Sequence, residues 1–296
     1  CEDCLLGVEE NKDILGIIKG FMRVHGIRPY DETTHKGLVR HALIRKGFHS
    51  GEIMVCLVIN GKDIPAKEQL VEELCQVKGM TSISYSINQE KTNVIMGKEI
   101  RCLWGQGYIT DYIGNVKYRI SPLSFYQVNP VQTKNLYEKA ITLAGLTGNE
   151  RVMDAYCGIG TIGLIASCDA KEVISVELNP DAVRDAVTNA KRNQIKNVSF
   201  YQNDAGAFMV SMAEKGEKAD VVFMDPPRAG SDEAFLSSVV TLAPKKVVYV
   251  SCNPETLARD LRYLTKHGYK AEEAWGYDMF AWSEHVETVC LLSRNK

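Results

Sequence analysis

No uninterrupted apolar run in the 296 residues comes near the roughly 20 that a membrane-spanning helix requires, which argues against a helical anchor in this stretch. The opening Cys1-Glu2-Asp3-Cys4 lacks the basic-then-apolar pattern of a secretory signal. The cytoplasm is therefore the expected location, with no membrane partner. Disulfide density is missing as well: nine cysteines are scattered, several of them inside apolar runs, so reduced thiols are expected. Cys1 and Cys4 form a lone CxxC pair, and no later spacing supplies the second pair of a four-cysteine metal site, so no metal is assigned. A formal net charge of -2 excludes a protein that is basic all over, and any affinity for nucleic acid has to come from a local patch. Internal repeats and low-complexity tracts are absent.

What is present is an ordinary globular composition, 45% hydrophobic and 24% charged, enough over this length for a full core and two domains. From Asn11 to His25 the apolar positions Ile14, Leu15, Ile17, Ile18, Phe21 and Met22 recur at helical spacing. Two β-rich runs follow, Gly37 to Arg45 and Glu52 to Ile59, then a helix from Ala66 to Lys78 and strand-like pieces at Thr81 to Ile87 and Thr92 to Met96. That pattern predicts a small α+β domain over residues 1–120. In it His35-Lys36, Arg40-His41 and Arg45-Lys46 interleave with Leu38, Val39, Ala42, Leu43 and Ile44, which reads either as a basic RNA-facing strand or as a solvated face. Strand-like Gly107 to Ile113 and Val116 to Ile120 lead to a punctuated junction, Ser121 to Pro130. Over residues 121–296 strand and helix then alternate, from a helix at Val131 to Ala144 and a strand at Arg151 to Ala155 through to a strand at Lys246 to Val250 and a helix at Pro254 to His267. Such alternation predicts an α/β, Rossmann-like domain: a largely parallel sheet wound on both faces.

The first turn of that domain, Asp154-Ala155-Tyr156-Cys157-Gly158-Ile159-Gly160-Thr161-Ile162-Gly163, follows a strand and opens a helix, and its glycines formally satisfy GxGxxG. Small residues such as Gly158 and Gly160 let a ligand approach the backbone, and Glu177, ending the next strand, can accept hydrogen bonds from both hydroxyls of a ribose. Both features serve NAD and S-adenosylmethionine alike. The later strand ends favour S-adenosylmethionine: Asp204 suits an adenine-facing polar group, and Asp154 or Asp225 supplies oxygens for a cationic methionine portion. Each also has a plainer reading, since aspartates at strand ends often cap the next helix and Tyr156 and Cys157 can simply pack.

Lys246-Val247-Val248-Tyr249-Val250-Ser251 is an apolar run that delivers Cys252 to the edge where open α/β sheets carry their chemistry. A cysteine is superfluous for methylating an amine, which has a lone pair. It suits a carbon such as C5 of a pyrimidine, where thiolate addition to C6 makes C5 nucleophilic. The C5 proton must then leave, and Glu287, in the late segment after Asp278-Met279-Phe280, is a suitable base. In isolation Cys252 reads equally as a packed thiol and Glu287 as a surface charge.

At these residues the chain resembles the RNA uridine-C5 methyltransferases. The resemblance rests on Asp225-Pro226-Pro227-Arg228-Ala229-Gly230, Val247 to Thr256 around Ser251-Cys252-Asn253-Pro254, Asp278-Met279-Phe280 with His285-Val286-Glu287, Ser124 to Pro130, and Asp154 to Gly160. It spans nearly the whole chain from about Lys36 onward and is greatest to the Gram-positive-type enzymes that act on 23S ribosomal RNA. It implies that Cys252 is the nucleophile, that Glu287 removes the C5 proton, and that Gln127, Tyr156, Glu177 and Asp225 contact S-adenosyl-L-methionine, which leaves as S-adenosylhomocysteine. Gln127 and Asp225 would also lie near the uracil edge, with Phe125 stacked on a base flipped out of the RNA. The implied partner is RNA, 23S ribosomal RNA first, with no protein partner and a monomeric state. Transfer RNA is the alternative substrate, and a catalytically silent RNA-binding protein on the same fold is the alternative of another class.

Two features depart from the family pattern. Ala281-Trp282 stands where proline and a polar residue usually follow Asp-Met-Phe, on the loop that carries Glu287. Family members also commonly carry an N-terminal OB-like module and a cysteine cluster that holds iron and sulfur. This chain begins too late for the module, so it is read as a fragment, with Cys4 the last cysteine of such a cluster and an iron-sulfur group expected only in a longer chain.

Overall fold

The computed structural model describes residues 7–295, so Cys1 and Cys4 and the cluster reading attached to them lie outside the described residues. The chain divides into two units, Cys1–Tyr112 with Arg119–Leu123, and Ile113–Tyr118 with Ser124–Lys296.

In the first unit, α1 (Asn11–Val24) precedes β1 (Val39–Lys46), β2 (Ile53–Ile59), α2 (Lys67–Leu74), β3 (Met80–Ile87) and β4 (Glu99–Gly105). The four strands lie in that order, β2 and β3 parallel through the α2 crossover and the outer pairs antiparallel. Ile14, Ile18 and Phe21 of α1 and Leu70 and Leu74 of α2 cover Val55, Leu57 and Ile59 on one face of the sheet, and every residue of β2 is buried.

One expectation is corrected here. Thr92 to Met96 is not a strand: the Asn88 side-chain amide donates to the Val94 and Ile95 carbonyls, taking acceptors a ladder would need, and the fourth strand is Glu99–Gly105 instead. The basic strand does exist as β1, but its cations are engaged. Arg40, with 1% of its side chain exposed, donates to the Asn88 and Glu90 carbonyls, lies 3.6 Å from Glu32 and stacks 4.4 Å above Tyr30. Lys46 pairs with Glu10 at 2.6 Å and Arg45 donates to the Ser121 carbonyl. A guanidinium taken out of water requires such partners, and once it has them it is not a free phosphate ligand.

A hairpin, β5 (Ile109–Ile113) and β6 (Val116–Ile120), follows in sequence. The second unit then runs α3 (Pro130–Ala144), β7 (Arg151–Ala155), α4 (Thr161–Ala166), β8 (Glu172–Glu177), α5 (Pro180–Arg192), β9 (Val198–Gln202), α6 (Ala205–Glu214), β10 (Val221–Met224), α7 (Glu233–Leu242), β11 (Lys246–Ser251), α8 (Pro254–Lys266), β12 (Tyr269–Tyr277) and β13 (Glu287–Arg294). The sheet order is β12-β13-β11-β10-β7-β8-β9, parallel from β11 to β9, with β13 antiparallel to both β11 and β12. Helices on both faces bury β10 and most of β7, β8 and β11, so these strands read as continuous apolar runs. This is a Rossmann-like, doubly wound arrangement. No helix among the described residues is long and apolar enough to cross a membrane.

Candidate active site

β7 has β8 on one side and β10 on the other, so the chain order reverses beside it and a crevice opens at the carboxyl ends of the strands. A cavity of about 590 Å³ lies there. It gathers Phe125, Gln127, Tyr156, Gly158, Glu177, Asp204, Asp225, Cys252 and Glu287 from widely separated parts of the chain. A smaller recess of about 50 Å³ is lined in part by Asp154, Tyr156, Gly158 and Asp225.

Each polar side chain is positioned by a strand end. Glu177 closes β8 and accepts the Gly158 N–H at 2.9 Å and the Asn179 N–H at 2.8 Å, which leaves a lone pair on each oxygen. Asp204 caps α6 by accepting from the Ala207 N–H at 2.9 Å, so its capping role and its place in the cavity wall coexist. Asp154 lies within β7 with 1% exposure; one oxygen accepts the Gly163 N–H at 2.8 Å while the other has no protein partner. A Cβ at Gly163 would stand 2.7 Å from the Ser175 hydroxyl and 2.8 Å from that Asp154 carboxylate, so only glycine lets α4 sit this close to the strands. Gly160, by contrast, faces Leu164 and Phe200 and does not line the cavity.

Cys252 and Glu287 meet through sheet register. β11 and β13 are antiparallel with Ser251 opposite Thr288, so the residue after one and the residue before the other emerge side by side at the cavity. Glu287 is 4% exposed, and burial raises its pKa above the ordinary carboxylate range. The Cys252 thiol is also raised, by partial burial and then by the Glu287 and Asp225 carboxylates, with Arg228 pulling the other way. Asp225 rises to about 8 and Asp154 to about 7, chiefly through burial; Glu287 and then Asp154 raise the first further, and Glu177 the second. Gln127 hydrogen-bonds the buried Tyr137 hydroxyl, which orients its amide.

A brace behind the cavity went unnoticed in the sequence. Asp260 of α8 is fully buried; its carboxylate accepts from the Ser231 N–H at 2.9 Å, the Tyr249 hydroxyl at 2.7 Å and the Arg259 Nε at 2.7 Å. Arg259 in turn donates to the Ala229 and Ser231 carbonyls, each at 3.0 Å, so α8 holds the loop that follows Asp225-Pro226-Pro227. Gly230 has φ +75, and a Cβ there would stand 2.5 Å from Arg259 Nη2. Ser231 Oγ lies 3.4 Å from the Tyr156 hydroxyl, which carries the brace to the cavity wall. The only sequence signal for this brace was a charged Arg-Asp pair inside an otherwise amphipathic helix.

Arg228, in the cavity wall, has Nη2 2.7 Å from His285 Nδ1. A guanidinium only donates, so the imidazole accepts at that nitrogen. Leu178, 66% exposed beside Glu177, is a further wall residue that no motif marked.

A profile of the tRNA (uracil-5-)-methyltransferase family matches residues 90–295. The chain is 46% identical over 98% of its length to a protein of Halalkalibacterium halodurans and 45% identical over 99% to one of Clostridium tetani, both named only as uncharacterized RNA methyltransferases. It spans 64% of the length of each. Among solved structures it is similar to the tRNA (uracil-54, C5)-methyltransferase of Pyrococcus abyssi in complex with S-adenosyl-L-homocysteine, with a TM-score of 0.83 and 29% identity over 99% of this chain and 69% of that one.

Proposed function

The chain belongs to the tRNA (uracil-5-)-methyltransferase family, and from that premise we propose that it is an RNA methyltransferase that transfers a methyl group from S-adenosylmethionine to C5 of a uridine. The observation that carries the proposal is the convergence of a thiol, Cys252, and a buried carboxylate, Glu287, in one cavity with a second set of acceptors at Glu177, Asp204, Asp225 and Asp154.

The acceptor set fits the cofactor. Glu177 suits the ribose hydroxyls, Asp204 and exposed Leu178 suit the adenine, and the partnerless oxygen of Asp154 suits the ammonium of the methionine portion. The buried Asp154 carboxylate, raised to about 7, is costly to ionise alone, and a cationic ligand relieves that cost. When bound, the cofactor supplies an electrophilic methyl on a sulfonium. Tyr156 and Gly158 would shape the wall against it, and Gly160 would serve from behind by packing the turn.

The residues of the chain then divide the reaction. Cys252 loses its proton to solvent in the cavity, and its sulfur bonds to C6 of the uracil, moving the ring electrons to C5 and O4. Asp225, protonated at neutral pH in the free protein, can donate to a uracil carbonyl, and Gln127, fixed by Tyr137, reads the same edge. C5 takes the methyl, Glu287 removes the C5 proton, and the electrons released expel the Cys252 sulfur. Phe125, 71% exposed at the cavity wall, can stack on the flipped base.

We assign the RNA as 23S ribosomal RNA, supported by the resemblance of the motifs to the Gram-positive-type enzymes. Transfer RNA is the second reading, favoured by the named substrate of the Pyrococcus abyssi enzyme. A monomer acting in the cytoplasm accords with both. The test of chemistry is 5-fluorouridine RNA, whose C5 fluorine cannot leave as a proton does. Wild-type protein is expected to be trapped as a covalent adduct and Cys252→Ala to form none; an adduct retained by Cys252→Ala overturns the nucleophile. On ordinary RNA, Glu287→Gln is expected to accumulate the adduct and slow turnover by about 10²-fold or more. Labelled methyl donor offered with 23S and transfer RNA transcripts in parallel decides the substrate, and incorporation into transfer RNA alone overturns the ribosomal assignment.

A further inference from the structure

Three loops of the second unit are tied together at the cavity. Asn129, on the loop that carries Phe125 and Gln127, donates to the Met279 carbonyl at 3.3 Å, and Arg228, in the cavity wall, meets His285 at 2.7 Å. Met279 and His285 bracket the turn that leads to Glu287. Within this turn Ser283 N–H and Oγ both donate to the Phe280 carbonyl, at 3.1 and 2.7 Å, and the His285 N–H donates to Ser283 Oγ at 3.2 Å. At its apex stands Trp282, 94% exposed and in the left-handed backbone region with φ +67. Both properties are unfavourable for a tryptophan: a bulky side chain disfavours positive φ, and an indole in water forgoes its apolar burial. The turn's own hydrogen bonds fix the backbone on either side of Trp282.

Resting on the function proposed above, we propose that Trp282 is the stacking platform for the nucleobase next to the target uridine. The occupant follows from what the cavity demands. Extruding one base from an RNA stack leaves its neighbour with an uncovered face, and an aromatic ring at the mouth replaces the lost stacking partner. Phe125 is the exposed aromatic of the cavity wall, available to the target base. Trp282 belongs to the loop tied to that wall through His285 and Arg228, so it meets RNA that remains outside. The loop that carries the base-abstracting Glu287 would thereby also sense the neighbouring nucleotide, which makes Trp282 a determinant of sequence context.

The experiment uses the full chain and RNA hairpins with a single loop uridine, in which the nucleotide on either side is intact or abasic. Trp282→Ala is expected to weaken hairpin binding about tenfold and Trp282→Phe by less than about threefold. Removing the neighbouring base from the RNA should weaken binding to wild type by a similar factor, yet add little further loss with Trp282→Ala. S-adenosylhomocysteine affinity should stay at the wild-type value in both variants, since Trp282 is outside the cofactor wall. Wild-type binding by Trp282→Ala, or an abasic penalty that persists in full in that variant, overturns the platform. Absence of methyl transfer by wild type, with the Trp282-dependent binding intact, would overturn the catalytic reading and leave the platform standing.

Discussion

At the scale of single residues, burial raises the pKa values of Asp154, Asp225 and Glu287 at the cavity. Asp225, raised to about 8 mainly by burial, binds a proton at pH 7 that it would have lost in an unfolded chain. A folded-state pKa above the unfolded value means that its contribution to stability is whole below about 4 and is lost as pH rises through about 8. Asp225→Asn keeps the shape and removes the charge, so at pH 8.5 it is expected to stabilise the ligand-free protein by roughly 1–3 kcal/mol, and at pH 4 hardly at all. Thermal melts at the two pH values check this; equal shifts would contradict it. The same variant should lose methyl transfer by about 10²-fold or more, because an amide donates a hydrogen bond but cannot give up a proton to the uracil carbonyl. For Cys252 the direction set by Arg228 is opposite to that set by Glu287 and Asp225. Arg228→Ala is therefore expected to raise the thiol further and to slow its alkylation by iodoacetamide at pH 8 by about threefold, followed on the Cys252 peptide by mass spectrometry.

At the scale of elements, α8 couples the two halves of the site. Its cap residue Asn253 directly follows Cys252, and its Asp260 and Arg259 hold residues 229–231. Asp260→Asn turns an amide toward Arg259 and ends that pair. The loop after Pro227 should then loosen, giving a destabilisation of about 2–4 kcal/mol, as expected for breaking a buried charge network from one side. A purely structural role would lower the melting temperature alone; the brace also predicts a rise of about fivefold or more in KM for S-adenosylmethionine with KM for RNA little changed. Elements like α8 were legible from periodicity, as were the buried strands from their apolar runs. Those that escaped were governed by other forces. β12 has Ala-Glu-Glu-Ala in its exposed middle and pairs only with β13, so neither alternation nor hydrophobicity marks it. β4 has a similarly exposed pattern and is specified by its ladder with β3, whereas the apolar Val94 and Ile95 that drew the strand to the wrong place are 61% and 54% exposed. Cys252 and Glu287 could be named from their residue types and setting, but their adjacency comes from the β11–β13 register, a tertiary fact that no local spacing encodes. Glu177 was legible as a strand end; the Asp260 brace was not, because its partners are backbone groups of a loop thirty residues away.

At the scale of the whole molecule, the charge balance limits how RNA is held. With a formal net charge of -2 and Arg40, Arg45 and Lys46 of β1 bound to Glu32, Glu10 and backbone carbonyls, β1 offers little free positive charge to displace counterions. Affinity is then expected to come mainly from stacking and base contacts at the cavity. The log of the RNA association constant against the log of salt concentration is expected to fall with a slope of about -1 to -3, corresponding to a few phosphate contacts on a single strand. A slope steeper than about -6 would demand a basic surface that the side-chain pairing in β1 does not supply. Arg40→Ala separates the two accounts. As a structural cation with 1% of its side chain exposed, Arg40 should cost roughly 2–4 kcal/mol of stability when removed, through the carbonyls and aromatic ring it leaves behind, while the salt slope stays at its wild-type value. A slope shallower by about one phosphate with unchanged melting would return the strand to the RNA interface.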